Sequence, residues 1–409
     1  MNLDDQLRER EVLHAEFIAW ARDASVQREM KLFRPLNPAH PLRAFHAGNR
    51  YSLPVPRANF QHALKDFYQG FYQTGQLTLS LSGPQSAQAL ITLAERCSAG
   101  LRPGDARQQT SPPALMAGAE PRYQQIDGPH LSLMFAFEQL PPAAEQALDF
   151  LCHWINTDKA GGLIAQLRQQ HLIDTLNARP LYHFNGQALL QVEFSSTRDI
   201  AQHATQIRDT FHDWLAFFSA QQEWPALREE YRLLQQRQQD VSSALELARR
   251  DCEQHVPGLS EQGITALKTV LQQLQPAPMP DGQHDWQLPA ANPFLHATKE
   301  PVSAGLIRGQ TSAHRGLRTF AQDRLRSRRD LSAMSFSTAM PSHSGEAAIY
   351  LRWRLAVQPA PELLAALENS LRPLVLDARH AGVELSFNAL GNDWLLKMHG
   401  FHEPMPAIL

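Results

Sequence analysis

Cysteine is nearly absent from this sequence, with three in 409 residues at Cys97, Cys152 and Cys252, far apart and in none of the short paired spacings of zinc ribbons or redox motifs. This excludes a disulfide-stapled scaffold and fits a reducing, cytoplasmic setting. Long hydrophobic runs are also missing. No stretch approaches the ~18 apolar residues that a bilayer-spanning helix requires, and the opening MNLDDQLRER holds no apolar core of a secretory signal, so no membrane partner is expected. There is no excess of either charge, the formal net value being -3, and a nucleic-acid partner is therefore not expected. What is present is ordinary for a globular chain: 43% hydrophobic and 19% charged residues, at a length sufficient for two or three domains.

Residues 5–31 contain neither Gly nor Pro and space Leu7, Val12, Leu13, Phe17, Ile18 and Trp20 as one long amphipathic helix would. A Pro- and Asn-rich loop follows, then helical spacing from Asn59 to Tyr72, an apolar–polar alternation over Gln76–Ser82 that predicts a strand, and a helix over 84–97. A Gly- and Pro-dense linker spans 99–122. Beyond it come strands at His130–Glu138 and Leu189–Ser196, two helices within 142–176 parted near Gly161 and Gly162, and a helical, Gln-rich stretch over 198–275 with Trp214, Phe217 and Phe218 buried. A second Pro-rich linker covers 276–294. Candidate strands then lie at Ser332–Thr338, Ala347–Leu355, Gly382–Asn388 and Trp394–His399, with a helix from Pro361 to His380 that Pro373 is placed to kink.

Several runs carry a resemblance. Glu9-Arg10-Glu11-Val12-Leu13-His14-Ala15-Glu16-Phe17, the loop Asn37-Pro38-Ala39-His40-Pro41, the Gly48-Asn49 pair and the Ala63-Leu64-Lys65-Asp66-Phe67 helix stand in the order and spacing of the pitrilysin and insulysin family of zinc peptidases, in the segment after its inverted zinc motif. The likeness continues through Trp286-Gln287-Leu288-Pro289 and ends in Gly382-Val383-Glu384-Leu385 and Gly400-Phe401-His402-Glu403-Pro404. The wording of the first hundred residues is most similar to members that act in pyrroloquinoline quinone (PQQ) biosynthesis. The resemblance implies that Glu16 stands where the family has its zinc-binding glutamate and Glu9 where it has a supporting acidic residue. It also implies zinc as cofactor, the PQQ precursor peptide as substrate and a half-clamshell architecture.

A hydrolytic zinc needs about three protein ligands, an open position for water and a general base. The motif His-x-x-Glu-His gives two ligands and the base from one helix. None of the 18 histidines begins that motif or His-Glu-x-x-His, so no catalytic residue is present and Glu16 alone cannot hold the metal. Read without the resemblance, glutamates seven apart on a charged helix form a solvated face. His14, two residues from Glu16, points away from it on a helix; His40 and His46 read as loop-holding hydrogen-bond groups; His399 and His402 straddle a strand end and a turn and do not converge. Adjacent Cys152 and His153 cannot face each other as nucleophile and base. The arginines at 315, 318, 324, 326, 328 and 329 read as a solvated or salt-linked face.

The expectation is an α+β chain of tandem related domains, each an antiparallel-rich sheet with helices packed on one face. Residues 1–105 are expected to form a partial first peptidase domain, 106–285 a second, and 286–409 a linker with a partial third, both ends reading as cut. The chain is expected to be inactive alone and to be completed by a missing half or a second peptidase-like subunit. A non-catalytic peptide- or partner-binding subunit of the same family is the alternative.

Overall fold

The computed structural model describes residues 2–221, 224–275, 285–295, 345–358 and 360–409. The candidate strand Ser332–Thr338 and the arginine cluster lie outside the described residues. The chain divides into two compact units, Met1–Gln235 with Ser242–Ala290, and Gln236–Val241 with Ala291–Leu409.

The first unit opens with helices α1 (Leu3–Arg22) and α2 (Ala24–Phe33), where the sequence predicts one helix. The break falls at Asp23. Its carboxylate accepts from the backbone N–H groups of Ser25 and Val26 at 2.8 and 3.1 Å, which caps α2 while the backbone of Asp23 itself is extended. Helices α3 (Ala58–Phe71) and α4 (Ala87–Ser98) follow. The predicted strand at Gln76–Ser82 does not form: a 3-10 turn covers Thr74–Gln76, and among the described residues no neighbouring strand offers 77–82 a ladder of hydrogen bonds. Alternation alone cannot make a strand without a partner.

Next come β1 (Arg122–Asp127), β2 (His130–Phe137), α5 (Ala144–Ile155), α6 (Leu163–Gln169), β3 (Thr175–Phe184) and β4 (Gln187–Ser195), then α7 (Ile200–Ala220), α8 (Pro225–Asp240), α9 (Ala244–Cys252) and α10 (Glu261–Leu274). The four strands form one antiparallel sheet in the order β1-β2-β4-β3. Its central strands are covered on both faces. Leu131, Leu133, Phe135 and Phe137 of β2, with Leu190, Val192 and Phe194 of β4, share a core with Phe150, Phe211, Phe218 and Leu267 from the helices. From the opposite face Met134, Ala136 and Leu189 meet Leu32 and Phe33 at the end of α2, together with Leu36 and Leu115. Two-sided burial explains why β2 reads as an almost unbroken apolar run. Each buried phenylalanine contributes about 1.5–3 kcal/mol relative to exposure. β3, which the sequence reading missed, is an edge strand, and the register shifts between Pro180 and Tyr182, the kind of place where a sheet accepts proline.

In the second unit β5 (Glu346–Arg354), α11 (Pro361–His380), β6 (Val383–Leu390), β7 (Asp393–Phe401) and the short α12 (Met405–Ile408) build a three-stranded antiparallel sheet, order β5-β7-β6, with α11 packed against β6. Pro361 occupies the first turn of α11, and the helix continues through Pro373. At Gly400, with φ +132°, a side chain would meet the carbonyl oxygen of Gly382, so only glycine fits. Arg237, which belongs to this unit, bonds to Glu403 at 3.1 Å and lies over the ring of Phe401. The protein is thus α+β, with antiparallel sheets and helices laid on them.

Candidate functional site

α1 carries both residues that the resemblance singles out. Seven residues turn a helix by nearly two revolutions, so Glu9 and Glu16 lie about 20° apart on one face. Both are exposed, and Val12, Leu13 and Trp20, whose spacing places them beside the two carboxylates, are exposed as well. The other side of the helix holds it in place. Phe17 meets Phe45 edge-on at 5.2 Å between centroids, and the side-chain amides of Gln6 and Gln61 exchange hydrogen bonds at 2.6 and 3.3 Å, tying α1 to α3. His14 lies between the rings of Phe17 and Tyr51, at 6.4 and 6.2 Å, rather than beside Glu16. Glu11, on the flank, pairs with Arg50 and Arg10, whose hydrogen bonds hold its carboxyl below the ordinary carboxylate range.

A zinc ion needs several such donors converging. Among the described residues no group of three or more His, Cys, Asp or Glu is gathered to hold a metal. The described residues therefore do not fit a zinc site by themselves, and no catalytic step is assigned to them.

His40 has a different role. It is 2% exposed; its Nδ1 accepts from the backbone N–H of Leu42 at 3.1 Å, which leaves Nε2 as the donor to Gln187 Oε1 at 3.2 Å. Tyr182 Oη donates to the same oxygen at 3.3 Å, and the Gln187 amide donates to the carbonyl of Pro113 and to Glu138 at 2.9 and 2.8 Å. Glu138 also accepts from the N–H of Leu115 at 2.6 Å. This network, which sequence reasoning missed apart from His40, fastens the 36–42 and 113–115 segments to the sheet. Beside it lies a cleft of about 630 Å³ walled by Phe45, His46, Pro112, Tyr182 and Phe184. His46 packs against Trp20 at 4.7 Å and Phe45 at 4.8 Å.

Other candidates separate. His399 pairs with Glu384 across β7 and β6 at 2.7 Å, while His402 Nδ1 contacts the carbonyl of Gly345 at 2.7 Å, so their imidazoles serve different partners. Cys152 is buried, and burial followed by the charge of Asp149 pushes its thiol up, away from a nucleophilic thiolate. Asp149 itself is pushed up to about 6, first by burial and then by Glu145, a pair with no sequence signal beyond two acids four residues apart in an otherwise apolar helix. Among the described residues no helix is long and apolar enough to cross a membrane.

The antiparallel α+β fold and the comparisons agree: the chain matches models of the M16 peptidase family, the family of pitrilysin. Residues 61–224 match the family model described as the peptidase M16 inactive domain, and residues 346–409 match that described as PQQ synthase PqqF, C-terminal lobe domain 3. Coenzyme PQQ synthesis protein F of Pseudomonas protegens is 57% identical over 410 residues, covering 100% of this chain and 49% of that protein. The protein of the same name from Pseudomonas syringae pv. tomato is 42% identical, covering 100% of this chain and 47% of its own length. The chain thus spans about half the length of these curated relatives. The crystal structure of pitrilysin superposes with a TM-score of 0.60 at 14% identity, over 100% of this chain and 49% of that one, a likeness of fold.

Proposed function

We propose that this chain is a section of a zinc metalloendopeptidase of the pitrilysin and insulysin type that acts in PQQ biosynthesis, trimming the peptide precursor of the cofactor in the cytoplasm, and that it is inactive on its own. The observation carrying this reading is the 57% identity to a coenzyme PQQ synthesis protein F along the whole chain. In the complete enzyme Glu16 supplies one carboxylate ligand to zinc and Glu9 supports it from the same helix face. The remaining ligands and the general base come from a missing half or a second peptidase-like subunit. On this reading residues 1–105 are part of a first peptidase domain, 106–285 a second, and 286–409 a linker with part of a third.

The test is a metal analysis of the purified 409-residue chain, alone and co-expressed with the remaining portion of the Pseudomonas protegens relative. Zinc is expected only in the reconstituted pair, where Glu16→Gln should remove it along with peptide cleavage. Stoichiometric zinc on the chain alone, or a pair indifferent to Glu16→Gln, would refute the assignment. A second reading, a non-catalytic subunit that binds peptide, is supported by the aromatic and proline-walled cleft beside His40. Saturable peptide binding without cleavage in the reconstituted pair would favour it.

A further inference from the structure

The sheet of the second unit has two unlike sides. Side chains alternate along each strand, so the register decides which of them share a side. On one side β6 buries Val383 and Leu385, and the rings of Trp353, Phe387 and Trp394 meet. The other side is polar and runs in rows across β5, β7 and β6: Ala348, His399 and Glu384, then Tyr350, Lys397 and Ser386, then Arg352, Leu395 and Asn388. Most of the charge on it is already matched. His399 pairs with Glu384 at 2.7 Å, and Arg352 and Arg354 both bond to Asp393, the latter at 3.2 Å. Lys397 is the exception, for among the described residues no carboxylate comes within ion-pair distance of its ammonium.

The neighbours of Lys397 say what it suits. It stands on the central strand with a hydroxyl on either side, Tyr350 on β5 and Ser386 on β6. Directly opposed positions hold their Cβ atoms about 4.5–5.5 Å apart, so both hydroxyls can reach a group that the ammonium holds. Tyr350 is 64% exposed and Ser386 is exposed as well, which leaves the row open among the described residues. An ammonium between two hydroxyls presents donors from three side chains, and a carboxylate offers two oxygens to accept them. A cationic group would instead meet the ammonium head on and find Glu384 and Asp393 engaged. We infer that the row of Tyr350, Lys397 and Ser386 recognises an acidic side chain, aspartate or glutamate, of a peptide lying across this side of the sheet. The inference rests on reading the chain as part of a peptidase and deepens it by naming a feature of the peptide. An exposed ion pair alone contributes little in water, so the discrimination between a carboxylate and its amide comes from donors that the strands hold in one row.

The experiment uses the whole 409-residue chain and a fluorescein-labelled peptide of Gly, Ser and Tyr that carries Glu at its centre, with the same peptide carrying Gln as its partner. Binding is read by fluorescence anisotropy at low ionic strength, where charge pairs at a surface are least screened. The Glu peptide should bind at least tenfold more tightly than the Gln peptide. Lys397→Gln should abolish that preference, Lys397→Arg should retain most of it, and Lys397→Glu should turn it toward a peptide with Lys at the centre. Tyr350→Phe and Ser386→Ala should each weaken the Glu peptide several-fold and leave the Gln peptide unaffected. Lys268→Gln, at an exposed position on α10 of the first unit, removes the same charge and should change nothing. Circular dichroism verifies that each variant keeps the parent fold. The inference is overturned if neither peptide binds, if the two bind alike, or if the preference survives Lys397→Gln. It falls too if inorganic phosphate binds at Lys397 as tightly as the Glu peptide, which would make a free anion the occupant. Zinc content and cleavage by the reconstituted pair are read separately. Glu-dependent binding with no zinc in the pair would sink the peptidase reading and leave the acid-recognising row, whereas zinc-dependent cleavage with both peptides bound alike would do the reverse.

Discussion

The indole N–H of Trp286 donates to Oδ2 of Asp213 at 3.1 Å, joining a Pro-flanked segment to the middle of α7. Asp213 is 7% exposed, and the segment is held further by the N–H of Gln287 on the carbonyl of Gly161 at 3.1 Å and by Lys159 Nζ on the carbonyl of Ala290 at 2.7 Å. Residues up to Ala290 therefore belong to the first unit. A hydrogen bond to a buried carboxylate is worth more than a neutral one, because its loss leaves charge poorly satisfied. Trp286→Phe keeps most of the apolar contact and removes the donor. It should lower stability by about 1–3 kcal/mol, measured as a fall in the urea midpoint by far-ultraviolet circular dichroism with the slope unchanged. An unaltered midpoint would mean that the bond contributes nothing in solution.

Asp149 gives a pH dependence whose sign is the reverse of that of a salt-bridged acid. Its carboxyl is raised from 3.8 to about 6 in the folded protein by burial and then by Glu145. The unfolded chain releases this proton first, so as pH rises from about 4 to about 6 ionisation favours unfolding, and the loss persists above that window. At about 1.4 kcal/mol per unit, the penalty at pH 7.5 is at most about 3 kcal/mol. Asp149→Asn should raise stability at pH 7.5 and change little at pH 4, followed by urea unfolding across that range. A gain of equal size at both ends would show that charge is not the cause.

Helices and central strands were legible because their burial writes itself into the sequence. β2 and β4 appear as apolar runs over His130–Glu138 and Leu189–Ser196, within two residues of their observed bounds His130–Phe137 and Gln187–Ser195. The edge strands of the first unit were not. β1 reads RYQQID, with no fully buried side chain, and β3 carries Pro180, which argues against a strand unless the position is at an edge. The helix break at Asp23 depended on a carboxylate competing for backbone N–H groups, a signal that a Gly- and Pro-free run conceals. The candidate site was legible only through resemblance. A seven-residue spacing puts Glu9 and Glu16 on one face, but an exposed acidic face is also what a bare surface helix looks like.

His40 separates a structural histidine from a metal ligand. Both ring nitrogens are engaged, with Leu42 and Gln187, and the ring meets Tyr182 edge-on at 5.3 Å. His40→Ala should destabilise the first unit by about 1–3 kcal/mol, because Gln187 loses a donor in a buried place. Thermal unfolding with and without zinc provides the check. The cost should be the same in both, and a zinc-dependent difference between parent and variant would show that the imidazole binds metal.

Glu16→Gln should do the opposite of a core substitution. The side chain is exposed on α1 and lies in no gathered group of metal-type ligands among the described residues, so the change removes only a solvated charge. Stability of the chain alone should shift by less than about 0.5 kcal/mol, the range of ordinary surface substitutions. Glu9→Gln should behave in the same way. In the reconstituted pair the two should part: loss of a ligand charge removes the metal, whereas loss of the supporting acid weakens its affinity by about 10–100-fold, as changes behind a ligand do. Zinc titration with a competing chelator measures both. If Glu9→Gln proved the more damaging of the two, the roles given to these carboxylates would have to be exchanged.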